Sequence, residues 1–140
     1  MKELWNVAQC AFAAMGGAIG SVLGGFDGFL YALILFVVID YVSGIFVAVS
    51  NGILSSSVGF RGIAKKVLLF FLVAVSTSID RHVLQTGEVV RTAVIFFYLS
   101  NEGVSILENA TRLGLPVPEK LKKVLEQIKE GNDDGEKEVH

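Results

Sequence analysis

The sequence predicts an all-α integral membrane protein with three or four transmembrane helices and a short cytoplasmic amphipathic helix at its C-terminus. Of the 140 residues, 52% are hydrophobic, and the mean hydropathy is +0.59. Charged residues avoid the long apolar runs and gather at their edges and in the C-terminal segment. Residues 29–49 form an apolar run that is long enough, at about 1.5 Å per helical residue, to cross a bilayer core.

Asp40 is the one charged residue within residues 29–49. A charge at the centre of a bilayer costs roughly 2.5 to 3.5 kcal/mol, so such a side chain normally faces another helix or water instead of lipid. We therefore expect Asp40 to have a polar partner inside the membrane and to contribute to function there. Arg91 is one candidate for that partner.

The chain divides into a transmembrane domain (residues 1–110), a cytoplasmic linker with an amphipathic helix (111–130) and a disordered acidic tail (131–140). The transmembrane domain contains four hydrophobic stretches, of which the second is a convincing span. The third and fourth have few residues between their flanking charges. The first either spans the bilayer or lies on its outer surface. The predicted helices cover about residues 4–25, 29–50, 63–81 and 88–109.

The distribution of lysine and arginine predicts the orientation of these spans. Arg61, Lys65 and Lys66 lie between the second and third stretches, and six further basic residues follow Glu108. Basic connections favour the cytoplasmic side of a membrane. We therefore expect these three residues to act as cytoplasmic basic anchors and the C-terminus to lie in the cytoplasm.

Glycines in the first stretch recur at every fourth position. This small-xxx-small spacing lets two membrane helices approach closely. It fits packing within one bundle and self-association of several chains equally well, so homo-oligomers are expected on the second interpretation. Helix-packing candidates are Gly16, Gly20, Gly24 and Gly28, with Gly44 in the second stretch.

The fourth stretch carries a polar stripe that spans an arc of about 140° on a helical wheel. Such a stripe is typical of a helix wall that faces water. The alternatives are an interfacial helix, or ion pairs inside a dry bundle. Together with Asp40, the intramembrane polar or pore-lining candidates are Arg91, Tyr98, Asn101, Glu102, Ser105 and Asn109.

The predicted C-terminal helix has a narrow apolar face, formed by Leu121, Val124, Leu125 and Ile128 at i, i+3, i+4, i+7 spacing. It could lie on the inner membrane surface, pair with copies of itself or cover the end of the bundle.

Enzymatic and nucleic-acid-binding functions find little support. His82 and His140 are far apart, Cys10 is the single cysteine, and the glycines lie in apolar helical sequence instead of after a strand. We expect no catalytic residue, cofactor or metal site. The net charge of −2 argues against a nucleic-acid partner.

Three blocks of the sequence carry a family resemblance. Asp40 to Gly44 reads Asp-Tyr-Val-Ser-Gly within a membrane helix, and Ser56 to Lys66 is a serine-rich connection followed by Gly-Ile-Ala-Lys-Lys. The third block is Asn101 to Asn109, continuing through Gly114 to Pro118. Together these blocks resemble the phage and toxin-secretion holins, small bacterial membrane proteins encoded with endolysins or large toxins.

The resemblance implies a multi-pass protein of the bacterial cytoplasmic membrane that self-associates and forms pores or lesions. Its partners would be copies of itself, the lipid bilayer and the released cargo, an endolysin in host cell lysis or a secreted toxin. Two alternatives stay open: a small ion or solute channel or transporter in which Asp40 and Glu102 bind the ion, and a scaffold whose tail helix recruits a cytoplasmic protein.

Overall fold

The computed structural model describes residues 1–137, in which all regular secondary structure is helical. Side chains are described through Gln127 and at Glu130. Two segments are each long and apolar enough to cross a membrane, namely α2 (Gly28–Ser50) and the segment formed by α3 (Ser56–Ser78) with the π-helical turn that follows it (Ile79–Leu84). The predicted all-α class is therefore confirmed, together with two candidate spans. The helices are α1 (Lys2–Val22), α2 (Gly28–Ser50), α3 (Ser56–Ser78), the π-helical turn (Ile79–Leu84), α4 (Val89–Arg112) and α5 (Glu119–Lys137).

α3 begins seven residues earlier than the hydropathy of its sequence predicts. The Ser55 hydroxyl accepts a hydrogen bond from the amide of Val58 at 3.3 Å and so caps the first turn. As a result, Arg61, Lys65 and Lys66 lie within the helix and not in a connecting loop. Arg61 and Lys65 are exposed, as an anchor requires, whereas Lys66 turns into the bundle.

α2, α3 and α4 form a compact bundle in which α2 and α4 run parallel and α3 runs antiparallel to both. Arg91 at the start of α4 contacts the turn before α2, and Asn109 near its end contacts Asp40 in the middle of α2. The apolar core lies in the half of the bundle closer to Arg91. It consists of Leu23, Leu30, Leu33, Val37, Leu69, Val73 and Ile95.

The outer surfaces of α2 and α3 expose large apolar side chains along most of their length. Leu35, Phe46, Leu68 and Phe71 are each about half exposed or more. A contiguous apolar surface of this extent is unfavourable in water and suits contact with lipid chains. The surface therefore agrees with the two candidate spans.

α1 contacts the bundle only near its C-terminal end, and its glycines do not form one packing face. The helix stops at Val22, so Gly24 and Gly28 lie outside it. A methyl group added at Gly16 or Gly28 would meet no atom within 4 Å, and one at Gly20 would run into the Phe26 ring. The prediction of close packing within one bundle is thus wrong at Gly16 and Gly28, because positive-φ glycines turn the chain at Gly24 and Gly25. Self-association of α1 stays a prediction.

α5 packs along the side of α4, where Leu125 is buried against Gly103 and Phe36, while Leu121 and Val124 remain exposed. The helix runs to Lys137, so the disorder predicted from residue 131 is not found in residues 131–137. Extending a formed helix adds one hydrogen bond per residue and avoids the cost of nucleation. Residues 138–140 of the predicted disordered tail lie outside the described part of the chain, as does the side chain of Ile128.

The first turn of α4 depends on a buried carboxylate from the π-helical turn. Asp80, which is 2% exposed, accepts hydrogen bonds from the amides of Val90 at 3.0 Å and Arg91 at 2.8 Å. These amides have no partner within the helix itself. Asp80 therefore joins the end of α3 to the start of α4.

We expect Asp80→Ala to lower the free energy of unfolding by about 1 to 2 kcal/mol, because it removes a helix cap. Asp80→Asn keeps one carbonyl oxygen as acceptor and should cost less. Thermal unfolding followed by circular dichroism in detergent micelles measures both. Wild-type stability in the alanine variant would contradict the assignment.

Candidate functional site

A cluster of three charged side chains lies midway along the bundle. The Lys66 ammonium of α3 donates to the carboxylates of both Asp40 in α2 and Glu102 in α4. The side chains are 19%, 9% and 10% exposed, respectively. We call these three residues the charged cluster. Each of the three bundle helices contributes one member, so the cluster connects all three.

Asn109 completes the surroundings of Asp40. Its side-chain amide donates to Asp40 Oδ1 at 3.1 Å, to the Asp40 carbonyl at 3.3 Å and to the Ser43 hydroxyl at 2.9 Å. The Ser43 hydroxyl in turn donates to the Asp40 carbonyl at 3.1 Å. Gly44 faces the Asn109 amide, and a methyl group there would be in ordinary van der Waals contact with its nitrogen at 3.8 Å. Asp40 thus has polar partners on both carboxylate oxygens.

The charged cluster carries one uncompensated negative charge when all three groups are ionised. Removing one partner from a buried charge pair is strongly destabilising, because the remaining charge is then left without compensation. Two carboxylates facing each other without the lysine would repel as well as lack partners. Lys66 is therefore the member whose removal costs most.

An open cleft of about 380 Å³ leads to the charged cluster from the end of the bundle where α2 meets α3. Tyr41 forms part of its wall and donates a hydrogen bond from its hydroxyl to the Gly59 carbonyl at 3.3 Å. Gly62 lies against the Tyr41 ring, since a methyl group there would approach the ring to 3.0 Å. Ser105 also lines the cleft. Because of this opening, solvent from one side of the bundle can reach side chains at mid-depth.

The polar stripe predicted on α4 separates into two sites. Glu102, Ser105 and Asn109 reach the cleft, whereas Arg91 lies at the opposite end of the bundle. Tyr98 packs against the apolar core, with its ring centroid 5.1 Å from that of Phe97. Asn101 is half-buried on α4.

The predicted pairing of Asp40 with Arg91 is wrong. Asp40 lies at the level of Glu102, and Arg91 precedes Glu102 by eleven positions, which is about 16 Å along α4. The actual partner, Lys66, was assigned to the cytoplasmic anchors because its sequence position falls at the edge of an apolar run. The serine cap at Ser55 is the sequence signal that would have placed it inside a helix.

Arg91 is 1% exposed and holds the turn between α1 and α2. Its Nε donates to the Leu23 carbonyl at 2.7 Å, and Nη2 donates to the Gly25 carbonyl at 3.0 Å. The two terminal nitrogens donate to the two oxygens of Asp27 at 2.7 and 3.3 Å. Gly24, with φ +92°, is required here, because a methyl group would overlap the Arg91 side chain. We call this arrangement the arginine clamp.

The hydrogen bond from the Arg91 guanidinium lowers the pKa of the Asp27 carboxyl below its ordinary value. The same carboxylate accepts from the amide of Leu30 at 2.9 Å and so caps α2. Asp27 therefore begins α2 and also connects it to α4.

The sequence profile of the bacteriophage holin family matches residues 17–130. The chain belongs to the bacteriophage holin family. The match covers α2, α3 and α4 entirely, and with them the charged cluster and the arginine clamp. The family resemblance seen in the sequence is thus confirmed.

Relatives of this chain occur in bacteria and in a phage. A protein of Listeria innocua described as uncharacterized is 43% identical over 119 residues, which is 85% of this chain and 84% of the relative. An uncharacterized 14.9 kDa protein of Clostridium perfringens, from the nagH 3' region, is 35% identical over 128 residues, 91% and 97% of the two chains. A protein of Bacillus phage phi105 named "Probable holin" is 30% identical over 105 residues, 75% and 77% of the two chains. No solved structure matches this chain.

We expect Lys66→Met to destabilise the bundle by about 3 kcal/mol, because it leaves two buried carboxylates without their cation. The double variant Lys66→Met/Glu102→Gln should recover part of the loss, since it removes the repulsion. Thermal unfolding in detergent micelles measures both. Lys65→Met is the matched control, because Lys65 is exposed on the same helix. Equal effects at the two lysines would refute the cluster's structural role.

The arginine clamp predicts an acid-sensitive contribution to stability. The pKa of Asp27 is lower in the folded state than in the unfolded state, where it is about 3.9. The clamp therefore contributes its full stability at pH values above the unfolded pKa. This contribution is lost as the pH falls through the folded pKa. We expect the melting temperature in micelles to decline below about pH 4 partly for this reason. Asp27→Asn should remove that part of the pH dependence.

Glu88→Gln is the control for the clamp, since Glu88 lies 4.0 Å from the Arg91 guanidinium and is 61% exposed. It should leave the acid dependence close to that of the wild type. If Asp27→Asn and the wild type lose stability in parallel on acidification, Asp27 is not the responsible group.

Proposed function

We propose that this protein acts as a holin that oligomerises in the bacterial cytoplasmic membrane and forms a pore or lesion through which an endolysin or a large toxin passes. The observation that carries the proposal is the charged cluster, which lies at mid-depth of an apolar-surfaced bundle and opens into a cleft. Membership of the holin family supports it.

In the single chain, the polar groups of α4 are kept away from lipid. Lys66 compensates Glu102 and Asp40, and Asn109 supplies the remaining hydrogen bonds of Asp40. This arrangement satisfies the rule that polar groups inside a bilayer need partners within the protein. When several copies assemble, the cleft side of α4 can face a shared, water-filled opening, where the same groups are hydrated.

We propose that α4 is a third span and that the cleft opens to the cytoplasm. α4 lies parallel to α2 from the arginine clamp to Asn109, so the two helices occupy the same depth. Arg61 is exposed near the end of the bundle at which the cleft opens, which favours the cytoplasmic side for that end. The C-terminus follows α4 on this side. α1 is then either a fourth span or an outer-surface helix.

A second candidate is a small ion or solute channel. The observation that favours it is again the cleft, which gives solvent access to Asp40 and Glu102 without any assembly. Conduction through such a site would be selective for small cations, whereas a holin lesion passes folded proteins. The size of the released solute therefore separates the two functions.

To test the proposal, purified protein would be reconstituted in vesicles that contain both a small fluorescent dye and a folded enzyme. A holin should release both above a threshold protein density, and a channel should release the dye or ions alone. We expect Asp40→Asn to shift the threshold and Asp40→Leu to reduce release more strongly, because leucine leaves Asn109 and Lys66 without this partner.

Leu35→Ala is the control for Asp40, since it changes an exposed apolar residue of the same helix. It should release both solutes as the wild type does. If no solute is released at any protein density, the protein does not form pores. If both Asp40 variants release the solutes as the wild type does, the charged cluster takes no part in pore formation.

A further inference from the structure

α3 and α4 carry opposite charges on their exposed surfaces at matching depth. The ion pair between Lys66 and Glu102 places these two residues at one level. Arg61 precedes Lys66 by five positions, about 7.5 Å along α3, and Glu108 follows Glu102 by six positions, about 9 Å along α4. Because the helices are antiparallel, both displacements point to the same end of the bundle. Counted from this ion pair, Arg61 and Glu108 thus lie at similar depths, to within the reach of the Lys66 and Glu102 side chains.

Neither charge takes part in an ion pair among the described side chains. Arg61 and Glu108 are both exposed, and among the described side chains the ion pairs involve only Lys66 with Asp40 and Glu102, and Arg91 with Asp27 and Glu88. If the charged cluster lies near the bilayer centre, a residue about 9 Å away is still within a hydrocarbon core about 30 Å thick. An arginine can extend its head group toward the interface, but the shorter glutamate has less reach. A cation at the depth of Glu108 would compensate it most directly.

A second copy of the chain can supply that cation. Rotation about an axis along the membrane normal moves a residue around the axis and leaves its depth unchanged. In a head-to-tail arrangement, the outer face of α3 in one copy meets the outer face of α4 in the next, and equal depth is then the condition for pairing. Arg61 and Glu108 meet this condition, whereas Lys65 lies about 7.5 Å from the depth of Glu108.

We propose that copies of this protein associate head-to-tail in the membrane through an interface in which Arg61 of one copy pairs with Glu108 of the next. This interface rests on the proposed function in one respect, namely that α2, α3 and α4 span the bilayer together. A heterologous contact of this kind closes into a ring when the rotation between copies permits it. In such a ring, each copy contacts one neighbour through the α3 surface that carries Arg61 and the other neighbour through the α4 surface that carries Glu108.

In the single chain, α5 covers the same face of α4. A cavity of about 610 Å³ between α4 and α5 is lined by Glu108 and Arg112 from α4 and by Lys122 and Glu126 from α5. Lys122 of α5 therefore faces the surface of α4 that carries Glu108. It supplies a positive charge there, as Arg61 of a second copy would. Leu125 fixes this position by packing on Gly103, a residue adjacent to Glu102 of the cluster.

A spanning α4 would place the α5 that packs beside it against lipid. Leu125 reaches Gly103, so α5 extends from the end of α4 to the middle of the bundle. The exposed charges Lys122, Lys123 and Glu126 would then face hydrocarbon, at a cost of roughly 2.5 to 3.5 kcal/mol for each lysine near the centre. The proposed interface therefore requires that α5 leaves α4 in the membrane, so that the face it covers becomes available to the next copy.

Thiol cross-linking in membranes tests the interface. Two variants in a Cys10→Ser background, Arg61→Cys and Glu108→Cys, would be co-expressed with different tags and treated with a short bifunctional thiol reagent. We expect cross-linked pairs that contain both tags, and little product from either variant alone, because the two positions belong to different faces. Lys65→Cys with Glu108→Cys is the depth-mismatched control and should yield about tenfold less product.

Charge reversal tests the same contact without cysteines. Arg61→Glu and Glu108→Arg should each slow the release of vesicle contents by about tenfold or more, because like charges then meet at one depth. The combination Arg61→Glu/Glu108→Arg should restore release, and Lys65→Glu/Glu108→Arg should not. Both positions are exposed in the single chain, so these substitutions leave its core intact.

The outcomes separate the interface from the pore. Release by the wild type without mixed 61–108 cross-links would overturn the interface, as would efficient cross-linking of either variant with itself. Mixed cross-links in membranes that release nothing would support the interface and overturn the proposed pore function.

Discussion

The ion pairs of Lys66 with Asp40 and Glu102 set the relative positions of α2, α3 and α4. Apolar helices in lipid gain little from burying more apolar surface, since lipid chains are as apolar as their own side chains. Packing alone would therefore leave several axial positions of similar free energy. A single ammonium between two carboxylates permits few of them, because a shift of one helical turn, about 5.4 Å, separates the charges. The level at which the cleft ends follows from this constraint, and the arginine clamp fixes α4 against the start of α2 independently.

Sequence patterns predicted the elements whose signals are local. The length and hydropathy of residues 29–50 were sufficient for α2, and the charge of Asp40 was sufficient to predict a polar partner. The identity of that partner depends on three helices meeting, which no periodicity reveals. The orientation rule counts all basic residues near the ends of apolar runs and does not distinguish exposed lysines from buried ones. It therefore predicts a surface position for Lys66.

The glycine pattern and the length of α5 show two further limits of sequence reasoning. A spacing of four residues indicates one helix face only while the helix continues, and α1 ends at Val22 because Gly24 and Gly25 adopt positive φ. In α5, the glycines and acidic residues after Glu130 indicated disorder, but the helix that begins at Glu119 continues through them. Local composition predicts poorly where a helix ends once it has formed.

The attachment of α1 relies on backbone carbonyls. Arg81 donates to the carbonyl of Ser21 at 2.7 Å, and Arg91 donates to those of Leu23 and Gly25. Side-chain identity at Ser21 contributes nothing to these bonds, so that position can vary freely while the attachment persists. Arg91 has no such freedom, because the ammonium of a lysine lacks the planar set of donors that reaches several acceptors at once. The first helix of this holin can therefore change its exposed surface extensively and still join the bundle at the same place.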